Sequence, residues 1–71
     1  MTMATVICGH KWVARLSPTR AVVRLYQGQE LIVVLRGLRS REAARQIEAT
    51  DTAIGLDMLI ERIASFYKVS P

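Results

Sequence analysis

The segment Asp51–Lys68 repeats its apolar side chains at the period of an α-helix, and that repeat limits what the rest of a 71-residue chain can do. At about 100° per residue, Ala53, Leu56, Leu59, Ile60, Ile63, Ala64, Phe66 and Tyr67 fall in one broad arc. Asp57, Glu61, Arg62, Ser65 and Lys68 fall opposite, where carboxylates at this spacing read as a solvated face. An apolar stripe of that width needs a partner surface, because helices this short draw their stability from packing rather than from propensity. Ile54 and Met58 lie among the polar residues, outside the stripe.

A second helical stretch precedes it. Gly37 ends a strand, and Ser40 reads as an N-cap with Glu42 in the first turn, near the positive end of the helix dipole. Ala43, Ala44 and Ile47 make a narrow apolar stripe. Continued as one helix, the wheel puts those three on the side of Ile54 and Met58, so the apolar direction turns between the two segments. One helix of about 28 residues would be ~42 Å long, more than a small domain accommodates. Thr50, Asp51 and Thr52 are poor helix formers and good caps, and a bend is expected there.

The partner surface has to come from the first 36 residues, which carry strand signals. Residues 3–8 are rich in β-branched side chains. Gly9-His10 reads as a turn and Trp12–Leu16 as a second strand. Ser17-Pro18-Thr19-Arg20 reads as a turn with proline preset at its second position. Residues 21–26 could open as a helix after Ser17-Pro18, but adjacent Val22 and Val23 and the hairpin-like sequel favour a strand. Gln27-Gly28-Gln29 then loops into Glu30–Leu35, the most apolar run of the chain. Alternation puts Trp12, Ala14, Leu16, Val23, Leu25, Leu31, Val33 and Leu35 on one face, the expected core face. Lys11, Val13, Arg15, Val22, Arg24, Tyr26, Ile32, Val34 and Arg36 share the other.

The expected fold is therefore α+β. An N-terminal antiparallel β-meander of three to four strands leads into a short helix and a longer amphipathic C-terminal helix packed on one face. A chain this short holds one small domain, 1–71, with a β-rich basic half (1–36) and a helical, mildly acidic half (40–68). At 51% apolar and 23% charged residues it is too hydrophobic for intrinsic disorder. Cys8 is the single cysteine, so no internal disulfide can reinforce the core. Cysteine usage of this kind points to a reducing compartment, most simply the cytoplasm. The start of the chain has no basic residues and too short an apolar stretch for a signal peptide, and no run approaches the ~20 apolar residues of a membrane span.

Charge carries the functional signal. The net charge is +4, but residues 1–41 set Lys11, Arg15, Arg20, Arg24, Arg36, Arg39 and Arg41 against Glu30 alone. Residues 42–71 are net acidic. Eight of the ten basic residues are arginine, whose planar fork of donors suits phosphate and carboxylate. A basic front half favours nucleic acid or an acidic protein surface as partner. The seven basic residues of positions 11–41 are the candidate nucleic-acid contacts, with Lys11, Arg15, Arg24 and Arg36 on one sheet face and Arg20 and Arg39 at its edges.

Other chemistries are poorly supported. Cys8 and His10 could supply two zinc ligands, half of a tetrahedral site, so no metal or other cofactor is expected. No third group completes a Cys-His nucleophile pair and no glycine-rich phosphate loop is present, so the chain reads as a non-enzyme without an evident small-molecule substrate. The run Arg41–Ile47, a break and a second helix resembles the opening of a helix-turn-helix. Its recognition end would offer Asp51 and Asp57 to phosphates, which is unfavourable. Leu59–Ile63 resembles the second helix of ribbon-helix-helix proteins, but Leu31–Leu35 has no polar residue to present as the ribbon. The sheet itself is the third route, by analogy with small three-stranded domains, such as integrase arm-binding domains, that lay a sheet in the major groove.

Two functions follow as expectations. The first is a small nucleic-acid-binding regulator acting through the arginine-rich surface. The alternative is a protein-binding adaptor or inhibitor, of the kind a phage or mobile element aims at a host protein, acting through an apolar and arginine face. The apolar surface of Ile32, Val34, Ile54 and Met58 exceeds what one small core absorbs, which predicts a homodimer or a partner interface.

Overall fold

The computed structural model describes residues 3–68. Four strands, β1 (Thr5–Cys8), β2 (Trp12–Leu16), β3 (Val22–Gln27) and β4 (Glu30–Arg36), form one antiparallel sheet in the order β1-β2-β3-β4. Two helices follow, α1 (Leu38–Glu48) and α2 (Ala53–Lys68). This is the expected α+β meander, with residues 22–27 a strand and the helical half broken into two.

Local chemistry sets each connection. Arg20 N–H donates to the Ser17 carbonyl (2.9 Å), closing a turn with Pro18 second, and Val22 N–H donates to Ser17 Oγ (3.1 Å). Arg20 ends that turn at φ 63°, an uncommon conformation for a side-chain-bearing residue. The β3–β4 hairpin has a two-residue loop, Gly28-Gln29, and Gly28 takes φ 64°, the positive value that mirror-image hairpin turns require at their first central position.

Trp12, Ala14, Leu16, Val23, Leu25, Val33 and Leu35 are buried on one sheet face against Ala43, Ala44 and Ile47 of α1 and Leu56, Ile60 and Ala64 of α2. Helix α1 lies on β3 and β4, and α2 on β2 and β4. Two strand assignments need correction. The β3–β4 register slips by one residue after Leu25↔Val33, so that Tyr26 pairs with Leu31 and Ile32 is passed over. This β-bulge reverses the alternation beyond it. Leu31 therefore leaves the expected core face and is 45% exposed, while Ile32, expected on the outer face, packs against the core cluster.

The helix ends also differ in part from the sequence reading. Helix α1 starts at Leu38, two residues before Ser40, with Gly37 at φ 70° as the capping residue. Ser40 is not a cap. It is fully buried, and its hydroxyl donates to the Arg20 carbonyl (2.8 Å), tying α1 to the β2–β3 loop. Glu42 consequently falls beyond the first turn. At the bend, Thr52 caps α2 as its residue type suggested: its Oγ1 accepts from Gly55 N–H (2.9 Å). On α2, Phe66 departs from the buried arc and is 73% exposed, whereas Ile54 and Met58 are exposed as their wheel position implied.

This packing separates core from surface sharply. Leu25→Ala or Ile60→Ala should lower the unfolding free energy by about 2–5 kcal/mol, and Thr52→Ala by about 1 kcal/mol. Ile54→Ala should change it by less than about 0.5 kcal/mol, all read from urea denaturation.

Candidate nucleic-acid interface

Both helices occupy one side of the sheet, so its other face is open. Strand pairing arranges that face in rows. Val6, Arg15, Arg24 and Val34 lie side by side across the four strands. Cys8, Val13, Tyr26 and Leu31 form the next row, and Val22 pairs with Arg36. Arg15, Arg24 and Arg36 are all exposed. Arg15 and Arg24 are direct cross-strand partners, an arrangement that like charges disfavour unless something neutralises them. Arg36 sits diagonally from Arg24, on the next strand and two residues along. The three guanidiniums thus form an oblique stripe across β2, β3 and β4. Among the described residues the one ion pair joins Arg20 to Glu48, so no described carboxylate forms an ion pair with the stripe.

The remaining candidates do not join that stripe. Arg20 is held by the protein itself. Its Nε and Nη2 donate to the two carboxylate oxygens of Glu48 (3.0 and 2.8 Å), and Nη1 donates to the Ser17 carbonyl (3.1 Å). The hydrogen bonds from Arg20 hold the Glu48 carboxyl below its ordinary range against a smaller opposing effect of burial, and the same pair raises the Arg20 pKa. Arg39, expected at the sheet edge, lies in the helical layer with its guanidinium 5.5 Å from the centre of the Tyr67 ring. Arg41 is exposed on α1, on the far side of the sheet from the stripe. Lys11 falls in the β1–β2 turn beside Ile54 and Met58, outside the strands. The expected single patch of seven cations is therefore divided, with three together on the open face.

The expected interface residues divide as well. Val34 (38% exposed) is on the open face, next to Arg24. Ile54 and Met58, one helical turn apart and 63% and 60% exposed, are on α2, in the opposite layer. Ile32 is turned toward the core by the bulge.

Asp57 is the residue whose role the helical wheel misplaced. Instead of lying on a solvated face it is 9% exposed, and its carboxylate fills a cradle of three successive backbone N–H groups in the β1–β2 turn. His10 N–H donates to Oδ2 (2.9 Å), Lys11 N–H reaches both oxygens (3.1 Å each), and Trp12 N–H donates to Oδ1 (3.0 Å). Successive N–H groups curled in this way form an anion-binding concavity. Burial pushes the carboxyl pKa up, but the three N–H donors, assisted by His10, outweigh it and hold the group below its usual range. Gly9 permits the approach, since a Cβ there would collide with the Asp57 carboxylate and come within 3.0 Å of the Ala53 carbonyl oxygen. Nearby, the Trp12 indole N–H donates to Glu61 (3.4 Å), which itself stays exposed.

Cys8 is a free, exposed thiol on the open face. Among the described residues no three of His, Cys, Asp and Glu converge as metal ligands, and no helix is long and apolar enough to cross a membrane. Comparison with protein-family models, with curated proteins and with solved structures finds no match to this chain.

The Asp57 cradle yields a pH signature. A carboxyl held below its unfolded value contributes stability that is complete above the unfolded pKa and is lost as pH falls through the folded one. Asp57→Asn should lower the thermal midpoint at pH 7. The gap between variant and parent should begin to narrow below about pH 4, where the carboxyl of the unfolded chain takes up its proton, and should close once the folded carboxyl, held lower, is protonated too. Thermal melts at pH 7 and pH 3 measure both.

Proposed function

We propose that this protein is a non-enzymatic nucleic-acid-binding regulator, working in the cytoplasm, that seats the open face of its sheet on phosphates. The observation carrying this reading is the directly opposed pair Arg15 and Arg24, extended by Arg36, with no carboxylate of the chain beside them among the described residues. Two adjacent like charges destabilise a sheet unless an anion neutralises them. Arginine forks match phosphate oxygens in pairs. Flanking Val6, Val13, Val22 and Val34 are short side chains that let the forks reach a backbone lying across the strands. Arg20 has no part in this contact, because Glu48 already satisfies it.

The contact should behave as electrostatic. Three phosphates neutralised by three arginines give a slope of log K against log salt of about −2.7 on duplex DNA. Two pairs of variants that remove equal charge from different faces test the location. Arg15→Gln with Arg24→Gln should weaken duplex binding by roughly 60-fold at 0.1 M salt and reduce the slope to about −0.9. Arg41→Gln with Arg45→Gln removes the same charge from α1 and should change affinity less than about threefold. Equal losses from the two pairs would show that net charge, and not this face, drives the binding.

A second reading rests on Ile54 and Met58, whose exposed side chains lie one turn apart on α2 and away from the arginines. Large apolar side chains in such a position favour a protein contact, either with another protein or between two copies of this chain. We propose the homodimer. Light scattering at high micromolar concentration should give twice the chain mass, and Ile54→Glu with Met58→Glu should return the monomer without unfolding it.

A further inference from the structure

We infer that the nucleic acid this face takes is duplex DNA, met on its major-groove side by the outward side chains of the central strands β2 and β3, and not a single strand or an RNA duplex. This deepens the proposed function and rests on it.

The placement of aromatic rings argues against single strands. A sheet that binds unpaired bases offers them two or three rings to stack on. Here Tyr26 is the one aromatic side chain on the open face, half-buried between Val13 and Leu31 in its row. Trp12 is buried in the core, and Phe66 and Tyr67 belong to α2 in the opposite layer. The open face instead carries β-branched side chains and guanidiniums, which serve a backbone and the outer edges of paired bases.

The side-chain chemistry suits a B-form major groove. That groove is about 12 Å wide and admits a two-stranded ribbon. Here β2 and β3 are the middle strands, flanked by β1 and β4, so the sheet lies over the groove and only their outward side chains, Val13, Arg15, Val22, Arg24 and Tyr26, enter it. The arginine forks take the phosphates that border this groove, and the small aliphatic groups between them meet the thymine methyl. Arg15 and Arg24 lie about 5 Å apart across the two strands, and Arg36 lies about 7–8 Å from Arg24 on the diagonal, so the three span neighbouring phosphates. An A-form RNA duplex closes this route, because its major groove is too narrow for side chains to read.

Fluorescence anisotropy with three labelled probes of one sequence, a 20-base-pair DNA duplex, its single strand and the matching RNA duplex, tests the inference on the full chain at low salt. The DNA duplex should bind at least tenfold more tightly than either of the others, and Arg24→Gln should lower its affinity several-fold. A single strand bound equally well or better overturns the duplex assignment and leaves the arginine face as a phosphate-binding surface. An RNA duplex bound equally well overturns the groove assignment in the same way. Binding to none of the three overturns the proposed function itself.

Discussion

The Asp57 carboxylate in its cradle of N–H groups holds the two halves of the fold together. It joins the last helix to the first turn, across more than forty residues of chain, at a place where neither partner could be satisfied alone. The turn would otherwise present three unpaired donors, and the helix would bury an unpaired charge, both expensive in a partly dry environment. Because Trp12 both donates to Asp57 and opens β2, the contact also sets where the largest core side chain enters the layer between sheet and helices. A chain of this size, with no internal disulfide, draws little from its apolar core, so a charge-assisted closure of this kind carries unusual weight.

The same one-sided construction explains the open face. Two helices of 11 and 16 residues are enough to cover one side of a four-stranded sheet and no more. The sequence responds asymmetrically: inward positions of β2 and β3 are Trp, Ala, Leu, Val and Leu, while outward positions interleave arginine with valine. Arginine keeps its long aliphatic stem against neighbouring valines while its charged end reaches outward, so this face tolerates water and remains suited to an anion. The polar restraints that stabilise the fold, Arg20 with Glu48 and Ser40 with the Arg20 carbonyl, all gather on the helical side.

Much of this was legible in residue order. Valine pairs, Ser-Pro and the Gly28 loop specified the meander, and Thr50–Thr52 specified the bend, because these are local effects of backbone preference and capping. The stripe of Arg15, Arg24 and Arg36 was legible for the same reason, since period-2 alternation holds through β2, β3 and the end of β4. What escaped was non-local. Nothing near Asp57 in the chain marks it as the occupant of a distant turn, and the one hint is Gly9, required by an approach that only the folded molecule reveals. The bulge that moves Leu31 and Ile32 has no glycine to announce it. Arg20 and Glu48 find each other through tertiary packing, and that pairing removes from the candidate surface an arginine that charge counting had assigned to it.

The bulge has a bearing on how crowded copies of this chain treat one another. Strand β4 is the most apolar of the four and lies at the edge of the sheet, where an unpaired ladder invites a foreign strand to add on. Its seven residues hold one register for only four, Val33–Arg36, before the slip at Ile32 kinks the ladder. The kink shortens the straight edge that an intruding segment could pair with, which disfavours strand addition at the place where composition alone would invite it.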